Sequence, residues 1–188
     1  MLRTVGILAL VAFPSLAQQP FSRHVRDYSN SLAPYVSSPQ QIVDKMLEAA
    51  QIRQGEVLYD LGCGDGRILI TAAERYKAKA VGVEISESLV KTVNEAVRRK
   101  NLQDLIQVIH GNLLDVNLTA ADVVIIYLET GSNDRLRPNL ERDLRKGSRV
   151  VSHDFMVPGW KASRVETLDA FKRPHTIYVY DMPQKVRK

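Results

Sequence analysis

The sequence predicts an α/β domain built on a doubly wound, mostly parallel sheet that ends in a C-terminal antiparallel hairpin. Three observations predict it. From about residue 39 onward, short apolar runs of strand length alternate with amphipathic stretches of helical period, the pattern of successive β-α-β units. The connections are short, and right-handed crossovers then restrict the topology to a sheet wound in both directions from its centre. After His153 the alternation stops, because too few residues remain before the next strand-like run for a crossover helix.

Each element follows from the residues. Ile42, Met46 and Ala50 recur at helical spacing, and Ser38-Pro39 supplies an N-cap followed by proline at the first helical position. Gly55 stops that helix, and Glu56 to Leu61 is an apolar strand that runs straight into glycines. A helix from Gly66 to Tyr76, a strand from Ala80 to Val83 and a helix from Glu87 to Lys100 come next, the last with Leu89, Val93, Ala96 and Val97 on one face. Ile106 to His110 is the third strand. Asp122 to Tyr127 is a β-branched run typical of a strand buried on both faces. A helix over about Ser132 to Leu144 and a strand over Arg149 to His153 complete the alternation. Met156 to Trp160 is a loop, and Ser163 to Leu168 with Thr176 to Tyr180 form the hairpin at the sheet edge.

Composition bounds the function. The chain of 188 residues suits one domain, and 45% hydrophobic with 25% charged residues is ordinary globular content. The net charge of +5 is spread among interleaved acids, so no nucleic-acid partner is expected. A single cysteine, Cys63, makes neither an internal disulfide nor a multi-cysteine zinc site, and no metal is expected.

The N-terminus has the three parts of a secretory signal: the basic start Met1-Leu2-Arg3, an apolar run from Val5 to Phe13, and small residues at Ser15-Leu16-Ala17. The expected organisation is a signal peptide over 1–17, a lead-in over 18–38 and the folded α/β domain over 39–188. The apolar run falls short of the roughly 20 residues that a membrane-spanning helix requires, so no stable span is expected. Export to the periplasm or medium follows if the leader is cleaved; a cytoplasmic or membrane-associated protein follows if it is retained.

The chemistry concentrates in Val57-Leu58-Tyr59-Asp60-Leu61-Gly62-Cys63-Gly64-Asp65-Gly66-Arg67. Glycines at alternate positions after a buried strand let the backbone turn tightly and approach a ligand closely. A dinucleotide site has G-x-G-x-x-G facing a pyrophosphate. Here the spacing is G-x-G-x-G with Asp60 just ahead of it, and an acid there opposes a pyrophosphate and suits a ligand that carries an amino group and a sulfonium charge.

Asp60-Leu61-Gly62-Cys63-Gly64-Asp65-Gly66 resembles motif I of the class I, Rossmann-like S-adenosylmethionine (SAM)-dependent methyltransferases. The resemblance implies that Asp60 reaches the methionine part of SAM, with Gly62, Cys63, Gly64 and Gly66 in the cofactor loop. It implies that Glu84, ending Val81-Gly82-Val83-Glu84, binds the ribose hydroxyls, and that Asn112, in His110-Gly111-Asn112-Leu113, contacts the adenine where an aspartate is common. Ala33 to Pro39, Tyr127-Leu128, Arg135-Leu136-Arg137-Pro138, Val151 to Phe155 and Pro158-Gly159-Trp160 are similar to the small lysine methyltransferases. Those include the enzymes that modify the mitochondrial ATP synthase c subunit and the adenine nucleotide translocase, and their prokaryotic relatives. Ser37 departs from that pattern, where proline is expected. The implied partner is a protein substrate with a target lysine. Two other functions fit the same motifs: methyl transfer to a small molecule or another side chain, and a SAM-binding module without turnover.

Several residues have two readings. Tyr127, at a strand end, lines the channel for the target amine or caps the core, and His153-Asp154 is either a substrate-facing pair or a structural pair that fixes the following loop. The expected catalytic candidates are Tyr127 and Asp154, orienting the amine while water removes its proton. Tyr35 either closes over SAM or staples the lead-in down. Cys63 is a space-filler between glycines, Trp160 anchors its loop on the sheet, and Glu141 pairs with Arg145 on a solvated helix face.

Overall fold

The computed structural model describes Leu32 and residues 35–184. The proposed leader, most of the lead-in and residues 185–188 lie outside the described residues. The elements, in chain order, are α1 (Gln40–Ala49), β1 (Val57–Leu61), α2 (Arg67–Tyr76), β2 (Lys79–Glu84), α3 (Glu87–Arg99), β3 (Ile106–His110), a 3-10 turn (Leu113–Asp115), β4 (Val123–Ile126), α4 (Thr130–Asp143), β5 (Arg149–His153), β6 (Arg164–Ala170) and β7 (Arg173–Asp181).

They build a seven-stranded sheet in the order β3-β2-β1-β4-β5-β7-β6. Strands β1 to β5 are parallel, and β7 runs antiparallel to both β5 and β6. The expected elements are all present with ends moved by a few residues, and the hairpin strands are longer than the apolar pattern indicates. Because the order reverses between β1 and β4, the carboxyl ends of β1, β2 and β4 open onto one crevice, the position at which doubly wound sheets bind ligands.

Alternation along the strands explains the two cores. In β4, Val123 and Ile125 face α1, α2 and α3, packing with Ile42, Met46, Leu69 and Val93; Val124 and Ile126 face α4, packing with Leu136 and Leu140. All of these are buried, and each such side chain contributes roughly 1.5 to 3 kcal/mol of transfer free energy. Among the described residues no helix is long and apolar enough to cross a membrane.

Two local expectations are corrected. Ser38 does not cap α1: Pro39 holds the N-cap position without a side-chain bond, because Ser38 Oγ is turned instead to His153 Nδ1, 3.1 Å away. Glu141 does not serve Arg145 either. Its carboxylate accepts the indole N–H of Trp160 at 2.7 Å, while Arg145 reaches across to Asp122. Trp160 also meets Tyr180 edge-on, at 5.3 Å between ring centres, so it anchors the loop on the sheet as expected.

Candidate active site

The loop between β1 and α2 is fastened to the end of β2. Gly62 and Cys63 donate their N–H groups to Val83 O at 2.8 and 3.1 Å. Glu84 takes the Gly64 N–H on Oε2 and the Ser86 N–H on Oε1, each at 2.9 Å. One buried carboxylate thus ties the glycine loop to the start of α3.

Gly64 has φ +56, and a Cβ there would fall 2.6 Å from the Tyr35 ring. Tyr35 therefore lies directly over the loop, with its hydroxyl raised above its usual range first by burial and then by the Asp65 carboxylate. Asp65 pairs with Arg67 at 2.5 Å, and Arg67 Nη1 donates to Ser38 O at 2.7 Å. This contact joins the glycine loop to the segment that precedes α1.

Asp60 is buried, and its Oδ2 atom has no hydrogen-bond partner. Burial, then the neighbouring carboxylates of Glu84 and Asp65, push it up to about 8. A buried acid in that state is stabilised by any cation brought beside it. Cys63 packs where a Cβ on Gly82 would lie, with Sγ 2.7 Å from that point. Burial raises its thiol far above the ordinary value, so it remains an inert wall. Asn112 caps the 3-10 turn, its Oδ1 accepting the Leu114 N–H at 2.9 Å.

Of the residues singled out in the sequence, Tyr35, Asp60, Gly62 and Cys63 line one cleft, together with Gly64, Glu84, Asn112 and Tyr127. Gly66 and Asp154 are not on its wall. Gly66, at φ +77, faces Val93, which a Cβ would meet at 2.5 Å; its smallness lets α2 start against α3. Ser38 and Ile85, not anticipated, do line the cleft.

Behind Tyr127 lies a second, buried cluster. The Tyr127 and His153 rings sit 3.9 Å apart, and Arg173 Nη2 donates to Tyr127 Oη at 3.3 Å. His153 is fully buried, with Nδ1 on Ser38 Oγ and Nε2 2.9 Å from His175 Nδ1. Burial is the main cause that pushes its imidazole down, so it is neutral at physiological pH. Asp154 shows the structural one of the two roles that its sequence position left open, and it does not face the cleft. Oδ1 accepts the Thr176 N–H at 2.9 Å and so extends the β5–β7 ladder, while Oδ2 lies 2.8 Å from Arg173 Nη1 and 3.3 Å from His153 Nε2. The loop after β5 is held by Asn133 of α4, whose Nδ2 donates to Phe155 O and Met156 O, both at 3.2 Å.

His153, His175 and Asp154 are the residue types of a metal site and come within 4.8 Å of one another. The two ring centres, however, are 5.1 Å apart for a nitrogen separation of 2.9 Å, nearly the span of two imidazoles joined end to end. The nitrogens therefore point at each other and do not converge on a common ion.

Sheet order, glycine loop and paired acids at successive strand ends define a SAM-dependent methyltransferase of the Rossmann-like kind, and the comparisons with known proteins agree. The ANTKMT methyltransferase domain matches residues 60–164, and the chain belongs to that family. It is 40% identical over 148 residues to a protein-lysine N-methyltransferase of Saccharolobus islandicus (strain REY15A), spanning 78% of this chain and 92% of that one. It is 28% identical over 155 residues to the adenine nucleotide translocase lysine N-methyltransferase of Mus musculus, spanning 82% of this chain and 64% of that one. A solved RNA methyltransferase from Salinibacter ruber, in complex with S-adenosyl-L-homocysteine, superposes with a TM-score of 0.75 at 38% identity and covers 81% of this chain and 97% of its own.

Proposed function

We propose that this chain methylates a lysine amine of a protein substrate, holding SAM in the cleft between the glycine loop and Tyr127. The observation that carries the cofactor assignment is the orphaned Oδ2 of buried Asp60, an acceptor placed for the amino group of the methionine part. Glu84 keeps lone pairs free beyond its two backbone bonds and would take the ribose hydroxyls. Asn112, beside the third strand, would meet the adenine. Gly62 and Gly64 allow the close approach, Cys63 fills the wall, and Tyr35 covers the loop.

Bound SAM supplies an electrophilic methyl group on a sulfonium. The chain's own part is positioning, which accounts for several kcal/mol of such a barrier. Tyr127, braced by His153 and Arg173, offers a flat wall along which the aliphatic stem of a lysine would lie. The name of the Saccharolobus relative, matched over nearly its whole length, supports a protein lysine as acceptor. That of the Salinibacter protein supports RNA as the second reading. Incubation of the full chain with methyl-labelled SAM and separated protein and RNA fractions of a cell lysate tests both. Label on protein, stable to ribonuclease and recovered as methyl-lysine, is the expected result. Label confined to RNA would overturn the lysine assignment.

A further inference from the structure

We propose that the turn joining β6 to β7 is a docking arm for the acceptor protein, with Phe171 taking an apolar side chain and Lys172 a carboxylate from the segment that carries the target lysine. The proposal rests on the lysine reading above and names the chemistry around that lysine.

The turn is made at a local cost. Ala170 pairs with Arg173 across the hairpin, so Phe171 and Lys172 alone form the loop. Both lie in the left-handed region, with φ 52 and 65. A two-residue turn of that shape favours Asn-Gly, because a large side chain is crowded by its own backbone at positive φ. Phe171 nevertheless puts a phenyl ring there and leaves it 73% exposed, so the ring adds nothing to the core. Lys172 is exposed too and pairs with none of the described acids.

The turn stands beside the acceptor end of the cleft. Because β7 runs antiparallel to β5, the turn projects at the carboxyl end of the parallel strands, where the cleft opens. Arg173, the next residue, donates to Tyr127 Oη at 3.3 Å and pairs with Asp154 at 2.8 Å. The arm is thereby fixed to the wall along which the lysine stem would lie. From the β5 side, the Phe155 ring lies 6.1 Å from that of Tyr127, and its neighbour Met156 is exposed. Among the described residues five large apolar side chains are exposed: Tyr35 and Val36 line the cleft, Met156 and Phe171 adjoin residues that meet Tyr127, and only Val165 lies elsewhere. Exposed apolar surface gathered in this way marks an interaction face.

Charge selects the partner. Lys172 is the free cation beside Tyr127, since Arg173 is held by Asp154. Glu129, exposed at the N-cap of α4 and two residues past Tyr127, suits the ammonium of an arriving lysine. Met156 and Val36 give a base no ring to stack on, and Glu129 repels phosphate, so the face suits a peptide better than an RNA strand. The complementary segment holds its lysine between an apolar residue and an acidic one.

The test uses the full chain with SAM and synthetic peptides that hold one central lysine between leucine and either glutamate or arginine. Wild type should methylate the leucine–glutamate peptide with a KM about tenfold below that for the leucine–arginine peptide, and Lys172→Glu should reverse that order. The double variant Phe171→Asn with Lys172→Gly gives the turn its favoured pair. Its Tm should equal or exceed that of wild type, while KM for the preferred peptide rises by about tenfold. SAM affinity and the rate at saturating peptide should be unchanged, because neither residue is on the cleft wall. If only lysate proteins serve as acceptors, the double variant should label them about tenfold more slowly at low protein concentration. Wild-type KM or labelling in the double variant, or a Lys172→Glu protein that keeps the wild-type order, would overturn the arm with the lysine reading intact. Methyl-lysine in neither peptide nor lysate protein would instead overturn the lysine reading and the arm with it. Phe171-dependent binding to phosphatidylserine vesicles, to RNA or to a second copy of the chain would give the turn to that occupant and also overturn the arm.

Discussion

Asp60 and Glu84 stand near the ends of adjacent parallel strands, yet Glu84 receives a backbone N–H on each carboxylate oxygen while one oxygen of buried Asp60 receives nothing. Burial, then the neighbouring Glu84 and Asp65 carboxylates, make Asp60 sensitive to pH. Its folded value, about 8, lies above its unfolded one, so between the two the folded chain binds more protons than the unfolded chain. Stability without cofactor is therefore complete below about pH 4, falls as the pH rises from there, and reaches its floor above the folded value. A cation beside the carboxylate cancels the loss. Thermal melts of the cofactor-free chain should show Tm falling between about pH 5 and about pH 8, a slope that saturating SAM flattens and Asp60→Asn removes. An identical slope in Asp60→Asn would place the titration elsewhere.

On the proposed ribose role of Glu84, Glu84→Ala should weaken SAM binding by about tenfold to a hundredfold, since alanine offers the hydroxyls no acceptor. It should also lower Tm, because the Gly64 and Ser86 amides lose their acceptor. Glu84→Gln retains acceptor capacity on one oxygen and should fall between the two. Calorimetry on folded Glu84→Ala that finds wild-type affinity would refute the ribose assignment.

Gly66→Ala separates packing from cofactor binding. Val93 occupies the space that the new methyl needs and φ is positive there, so the cost in urea unfolding should be about 1 to 3 kcal/mol. SAM affinity, measured below the unfolding range, should change little. A stable variant that no longer binds SAM would return Gly66 to the cleft wall.

Asn133→Ala should loosen the loop after β5 by freeing the Phe155 and Met156 carbonyls. A stability loss of about 1 to 3 kcal/mol is expected, with methyl transfer slowed and SAM affinity unchanged, since Asn133 is not on the cleft wall. A variant weakened in SAM binding alone would contradict this assignment.

The glycine-loop end of the cleft is legible in the sequence because its residues are close together along it: Asp60 and the glycines span one loop, Glu84 ends a strand and Asn112 follows one, each strand revealed by its apolar run. The inner end is not. Ser38 and His153 are 115 residues apart, and His153 and His175 are 22; no local pattern links them. Ser38-Pro39 even carries a sound helix-start signal, which a tertiary hydrogen bond overrides. Asn133 is invisible for a similar reason, since a buried asparagine on a polar helix reads as solvated until its carbonyl partners are known. The spacing of the glycine loop assigns Gly66 to the ligand, whereas its neighbour in space, Val93, belongs to another helix.

The place of β7 between β5 and β6 has a consequence for the order of assembly. Strand β6 leaves the ribosome before β7, but its sheet contact is with β7 alone, so it must wait unpaired until the later strand emerges and docks on β5. The parallel part of the sheet, with the glycine loop and both acids, precedes β6 in synthesis and has its partners within reach by then. His175 and Arg173 arrive only with β7. A nascent chain halted before residue 173 would therefore hold the glycine loop, both acids and His153, but without the two β7 side chains, His175 and Arg173, against which His153 and Asp154 rest.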